Sequence, residues 1–198
     1  MPSAKMRLFV ALDIDDGIRA RIQRFVEGVS GFASEARWVS PESMHVTLKF
    51  IGEQPAEAVD EIKRAISAVK GESFEICFRD FGFFPTAKSA RVFWVGIEAG
   101  PLASLATAID HATSSLGIPK EDHVYSPHLT LARGGRSGAP GRQKEDRPNR
   151  GFQKLREKLA AMPTPEFGTM TAREFFLYQS QLVRGGAQYT KIDRFGLS

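Results

Sequence analysis

Sulfhydryl chemistry is nearly absent from this 198-residue chain, in which Cys77 is the one cysteine. A lone cysteine makes no intrachain disulfide, which excludes a disulfide-stapled scaffold and fits a reducing compartment. Cys77 lies in the apolar run FEICFRDF and is expected to be a small buried residue. Long apolar stretches are also missing. None approaches the roughly 20 residues needed to span a bilayer, and the start, MPSAKMRLFVALDIDD, turns acidic too early for a secretory leader. The chain is therefore expected to be soluble and cytoplasmic, with no membrane partner. Tyrosine and tryptophan are scarce, at three and two residues, and they do not form the aromatic pattern of an RNA-recognition module.

What remains is ordinary globular material, 42% apolar and 25% charged. The length suits one domain or two small, closely packed lobes, and it allows a full core. The net charge is +4, unevenly spread: residues 133–158 carry nine Lys/Arg against three acids. The excess sits in GGRSGAPGRQKEDRPN (residues 134–149), which reads as a loop, and in the helix after it. A polyanionic partner suits this charge without being demanded by it. The loop is expected to be a solvated insert; the alternative is an electrostatic clamp on a polyanionic chain.

Periodicity supplies the elements. MRLFVALDI (residues 6–14) is strand-like, and Asp15 or Asp16 can cap a helix with Ile18, Ile22, Phe25 and Val29 on one face. MHVTLKFIG (44–52) is a strand, and Pro55 can open a helix with the stripe Val59, Ile62, Ile66 and Val69. Two strands follow at 74–84 and 91–98, then a helix through Leu102, Leu105, Ile109, Ala112 and Leu116. PHLTLAR (127–133) is a strand, Phe152, Leu155, Leu159 and Met162 mark a fourth helix, and TAREFFLYQSQLV with QYTKIDRF reads as a hairpin about Gly185-Gly186.

The pattern repeats. RLFVALDI at Arg7 resembles RVFWVGIE at Arg91, and HVTL at His45 resembles HLTL at His128. The two displacements along the chain agree to within a single position. Two like units imply a duplicated α+β protein, with antiparallel-rich sheets and flanking helices around a central cleft and a pseudo-twofold axis. The units run from about 6 to 85 and about 90 to 195, with elements free to interchange between lobes.

Four histidines and nine threonines are present. Two histidines followed by Thr at i+2 would arise by accident about one time in a hundred, and here the two occupy matching points of a repeat. Residues i and i+2 of a strand face one side, so His45 projects with Thr47, and His128 with Thr130. A pseudo-twofold can bring both pairs to one cleft. Two imidazoles titrating near neutrality suit attack at phosphorus: the neutral one takes a proton from water, the charged one protonates the departing ribose oxygen. Threonine hydroxyls donate to the non-bridging oxygens. The scheme needs no metal and no cofactor. A zinc site from His45, His123 and His128 lacks a close ligand spacing and is not expected.

The paired HVTL and HLTL resemble the two H-x-T-x motifs of the 2H phosphoesterase superfamily. Its RNA 2′,3′-cyclic phosphodiesterase branch, also called 2′-5′ RNA ligase, is similar over nearly the whole chain, through MRLFVALDI, RWVSPESMHVTLKFIGE, FGFFP, RVFWVGIE, SPHLTLAR, FFLYQSQL and YTKIDRF. The resemblance implies a bilobal fold and metal-free hydrolysis of RNA 2′,3′-cyclic ends to 2′-phosphomonoesters. It also implies His45 as proton donor to O3′, His128 as proton acceptor from water, and Arg133 on the phosphate. Strand parity places Arg133 opposite His128, so it is expected to reach the cleft by a twist at the strand end. The same groups allow the reverse joining of RNA halves through a 2′-5′ bond, or action on a small cyclic nucleotide. No obligatory protein partner is implied, and a monomer is expected.

Other residues carry plainer expectations. His111 and His123 are expected at the surface. Phe9 and Phe93 are expected in the core. Trp38 is open between core packing and stacking on a base, and Lys49, sharing parity with His45, is open between the phosphate and the rim.

Overall fold

The structure is a computed structural model describing residues 4–134, 150–183 and 186–198. The expectations for the basic loop at 135–149 and for the Gly185 turn lie outside those residues. A four-stranded antiparallel sheet has β1 (Lys5–Asp13) between β3 (His45–Pro55) and β8 (Glu174–Val183), with β9 (Gly186–Gly196) beyond β8. A five-stranded antiparallel sheet runs β2 (Arg37–Trp38), β6 (His128–Arg133), β5 (Val92–Glu98), β4 (Phe74–Phe84), β7 (Glu166–Ala172). Strands β3 and β6, which carry the two motifs, lie against each other where the sheets meet.

The helices cross between sheets. Helix α1 (Asp16–Val29) leaves the four-stranded sheet and packs on β7 of the other. Its start is fixed by Asp15, whose Oδ1 accepts from the Ile18 amide at 2.7 Å, the N-cap bond that satisfies an otherwise orphan donor. Helix α3 (Gly100–Ser114) leaves the five-stranded sheet and packs on β3. Helix α2 (Val59–Ser67) lies against α3 and β9, and α4 (Gln153–Ala160) against the turn that follows α1. Ile18, Ile22, Ile62, Ile66, Ile109, Leu155 and Leu159 are buried as their spacing predicts. One core runs through both sheets and all four helices.

The two halves correspond through their ladders. Val10 faces Lys49 and Ala11 faces Thr47; Phe93 faces Ala132 and Trp94 faces Thr130. Both ladders skip a residue at the same place, Leu48 in β3 and Leu131 in β6, while β3 skips a second at Ile51; a bulge of this kind reverses which residues share a face. The offset that carries His45 onto His128 therefore holds throughout, and the likeness of Arg7 to Arg91 is one position out of register. Phe9 and Phe93 consequently face opposite ways. Phe93 is fully buried in the main core, while Phe9 joins Ala11, Phe176 and Tyr178 in a separate cluster on the cleft side.

Three further sequence expectations change. The run from Thr171 to Val183 is not one strand: it breaks at Arg173, and β7 before the break pairs with β4 in the other sheet. Residues 37–38, read as loop, form the edge strand β2. Cys77 is half-buried rather than buried.

Candidate active site

His45 and His128 open their strands from equivalent positions, and each ring is held the same way. The Nδ1–H of His45 donates to the Ser43 carbonyl at 2.7 Å, and that of His128 to the Ser126 carbonyl at 2.8 Å. A carbonyl only accepts, so each Nδ1 carries the proton and each Nε2 is left with its lone pair. Both rings line one cavity of about 620 Å³, together with Thr47, Thr130 and Arg133. All five residues singled out by the motifs therefore meet there.

Arg133 arrives by a different device from the expected terminal twist. The bulge at Leu131 buries Ala132 and turns Arg133 onto the side of His128 and Thr130. The matching bulge at Leu48 does the same in β3: it brings Phe50 to the cavity and sends Lys49 inward. Lys49, 2% exposed, faces neither phosphate nor rim. Its Nζ donates to the Pro119 carbonyl at 2.7 Å and meets Asp110 at 2.6 Å and Glu121 at 3.5 Å. It thereby pins the segment that leads into β6. A second tie joins the same segment to the first motif, because the Tyr125 hydroxyl donates to the Thr47 carbonyl at 2.8 Å.

Aromatic rings back both imidazoles. His45 lies 4.9 Å from Phe9 and meets Tyr189 edge-on at 5.1 Å. His128 meets Phe84 edge-on at 5.0 Å, with Trp94 at 6.4 Å. The space behind them is filled in two complementary ways. Small Ala11 faces large Phe176 in one sheet, whereas large Trp94 faces Gly82 in the other. A Cβ at Gly82 would fall 2.1 Å from the Trp94 ring, so only glycine fits under the indole. Trp38 belongs to the core side: its Nε1 donates to the Ala33 carbonyl at 3.1 Å, and its ring meets Phe93 edge-on. His111 and His123 are exposed, as expected.

Burial pushes the His45 pKa down to about 4, helped by the Arg133 and His128 charges and opposed by the Ser43 carbonyl and Asp13. Burial and Arg133 also lower His128. Asp13 stands opposite His45 in the ladder, where the other half has Gly96 opposite His128. Its carboxylate is held by Arg19 at 2.7 Å and Lys191 at 2.6 Å. Arg19 also donates to the Ile14 and Pro41 carbonyls, fixing the turn before the first motif.

Among the described residues, the cavity wall contains Arg7, Arg37 and Arg133 and no carboxylate. Among the described residues no three His, Cys, Asp or Glu side chains cluster as a metal-binding set, and no helix is long and apolar enough to cross a membrane. Arg7, Arg37, Phe50, Phe84, Tyr178 and Tyr189 were not singled out from the sequence. Phe50 and Tyr189 owe their places to a bulge and a hairpin register that no local pattern marks.

Two facing sheets, each contributing a His-x-Thr strand to one basic cavity, define a phosphoesterase of the two-histidine class. Comparison with known proteins makes the assignment particular. The LigT-like phosphoesterase pattern matches residues 12–94. An Archaeoglobus fulgidus protein named RNA 2′,3′-cyclic phosphodiesterase is 34% identical over 191 residues, covering 96% of this chain and 99% of that one. A Methanothermobacter thermautotrophicus protein of the same name is 32% identical over 197 residues, covering 98% and 100%. The crystal structure of Escherichia coli LigT complexed with 3′-AMP superposes with a TM-score of 0.77 at 25% identity, covering 98% of this chain and 99% of that one. The chain belongs to the LigT-like phosphoesterase family.

Proposed function

We propose that the protein hydrolyses RNA 2′,3′-cyclic phosphate ends to 2′-phosphomonoesters by metal-independent acid/base catalysis between His45 and His128. The carrying observation is the matched pair of imidazoles, each with its Nε2 free, on the wall of one arginine-lined cavity. The names of the archaeal relatives support the substrate class.

In this reading His128 Nε2 removes a proton from water as the water oxygen attacks phosphorus. The P–O3′ bond breaks, and His45 Nε2–H protonates O3′. Thr47 and Thr130 donate to the non-bridging oxygens, and Arg133 offsets the charge that gathers there. The donor role of His45 follows the family resemblance, and Asp13 gives it a physical footing. A carboxylate beside His45 favours its charged form, and His128 has glycine in that place. Burial holds His45 neutral at pH 7 in the free protein. A phosphodiester anion at its Nε2 works in the opposite direction and adds to Asp13.

The test is the product formed from a short RNA with a 2′,3′-cyclic end, assayed in EDTA with and without a 5′-hydroxyl RNA. A 2′-phosphate that persists under chelation is expected. A 3′-phosphate, or loss of activity with EDTA, would overturn the scheme, and a preponderance of joined over hydrolysed RNA would assign the 2′-5′ ligase reaction instead.

The pH profile follows from the same charges. Both imidazoles titrate below the usual 6.5 in the free protein, so the bell of kcat/KM is centred on the acid side of that value. Both limbs belong to the pair rather than to either ring. Arg133→Gln removes a cation that favours the neutral rings, so both limbs move to higher pH while KM rises. Limbs that stay put in this variant would separate Arg133 from the histidines.

A further inference from the structure

We infer that Arg37 forms a second phosphate subsite, for the internucleotide phosphate 5′ to the cyclic end, so that the protein selects oligonucleotides over cyclic mononucleotides. This rests on the cyclic-phosphate reading above.

The cavity carries more positive charge than its reacting group needs. A 2′,3′-cyclic phosphate has one negative charge, and among the described residues three arginines and no acid line the cavity. Arg133 is the one placed to act at the histidines, since its charge bears on both of them. Arg37 lies one strand farther out, on the edge strand β2. It stands directly across from Arg133, where β2 pairs with β6. Like charges placed directly opposite on neighbouring strands repel, and no carboxylate ion-pairs with either among the described residues. A second anion between or beside them relieves that repulsion.

Its origin separates Arg37 from the symmetric centre. The histidine-threonine pair and the bulge that follows it occur in both halves, but β2 adds an edge to one sheet only, and among the described residues the four-stranded sheet ends at β3. Arg37 is thus an addition to one side of a symmetric phosphate site, as a ligand with unlike sides requires. Arg37 sits one strand beyond Arg133, a step of about 4.8 Å across the β2–β6 pair. That step carries it past the reacting phosphate and toward the next one on the chain. Arginine's planar fork suits a diester's two free oxygens.

The experiment compares kcat/KM for adenosine 2′,3′-cyclic phosphate bearing a 5′-hydroxyl with that for the dinucleotide ApA ending in the same cyclic phosphate. Wild type is expected to prefer the dinucleotide, and Arg37→Ala to reduce that preference about tenfold. Arg37→Lys should restore part of it. For the dinucleotide, the slope of log(kcat/KM) against log salt should become shallower by about 0.7 in the alanine variant, as for one lost single-strand phosphate contact. Equal loss on both substrates would place Arg37 at the reacting phosphate and overturn the subsite. So would an unchanged ratio, or a wild type without preference. Wild-type turnover of neither substrate would defeat the cyclic-phosphate reading itself, and this inference with it.

Discussion

Alanine at His45 or at His128 is expected to lower kcat by about 10²–10⁴-fold, the range for losing a positioned general acid or base. Each ring is oriented by a backbone carbonyl two residues before it, from Ser43 and Ser126, and alanine leaves that backbone in place. Protein stability should change far less than activity. His45 is in ring contact with Phe9 and Tyr189, so His45→Gln serves as a fuller replacement that retains volume while removing the titration. The two groups move protons in one transition state, so the double variant should be little worse than the poorer single one. The measurement is single-turnover hydrolysis of a cyclic-ended RNA, alongside a thermal melt of each variant. A variant folded like wild type and retaining activity within tenfold would remove that histidine from the proton path.

The largest expected effect on stability falls away from the cavity. Asp110→Ala should cost about 3 kcal/mol, because it strands a buried ammonium. Lys49 is 2% exposed, and Asp110 is its shortest ionic contact, at 2.6 Å. Glu121 is farther, at 3.5 Å, and half exposed. Lys49→Met should be nearly neutral, since a similar apolar volume needs no partner, and it should rescue Asp110→Ala. The pH dependence has a definite sign. Burial alone would raise the Asp110 pKa, but Lys49 and the Glu121 amide outweigh burial and hold it below 3.8. Its contribution is therefore present above the unfolded carboxylate range and is lost only as pH falls through the lower folded value. Urea titrations at pH 7 and pH 3 should show the wild-type advantage over Asp110→Ala shrinking at the lower pH. An undiminished difference would assign it to packing instead of charge.

The legible and illegible parts of this protein divide at the bulges. Strand parity holds from His45 to Thr47 and from His128 to Thr130, so the four groups that meet in the cavity could be named from spacing. Parity fails one residue later in both motifs. Leu48 and Leu131 are ordinary strand residues with nothing to announce a skipped rung, so parity alone gives Lys49 the face of His45 and asks of Arg133 a twist it does not use. The same slip hid the true relation of the halves. A likeness of letters aligned Phe9 with Phe93, while the ladders match Phe9 to Val92. Strand β7 is not legible because Gly168, at φ +105, and two threonines dilute its apolar alternation. The helix faces are legible because local periodicity sets them, although Val69, Leu116 and Met162 lie just past the ends of α2, α3 and α4. Their exchange between sheets involves partners far apart in sequence and leaves no local trace.

That exchange means neither lobe exists as a continuous piece of polypeptide. The four-stranded sheet takes β1 and β3 from one end of the chain and β8 and β9 from the other, and the helix covering β3 arrives from the middle. A protease nick between β4 and β5 would therefore yield two fragments that each leave both sheets unfinished. They should recover a working enzyme only when mixed, which makes the halves suited to a split reporter and unsuited to being swapped as modules.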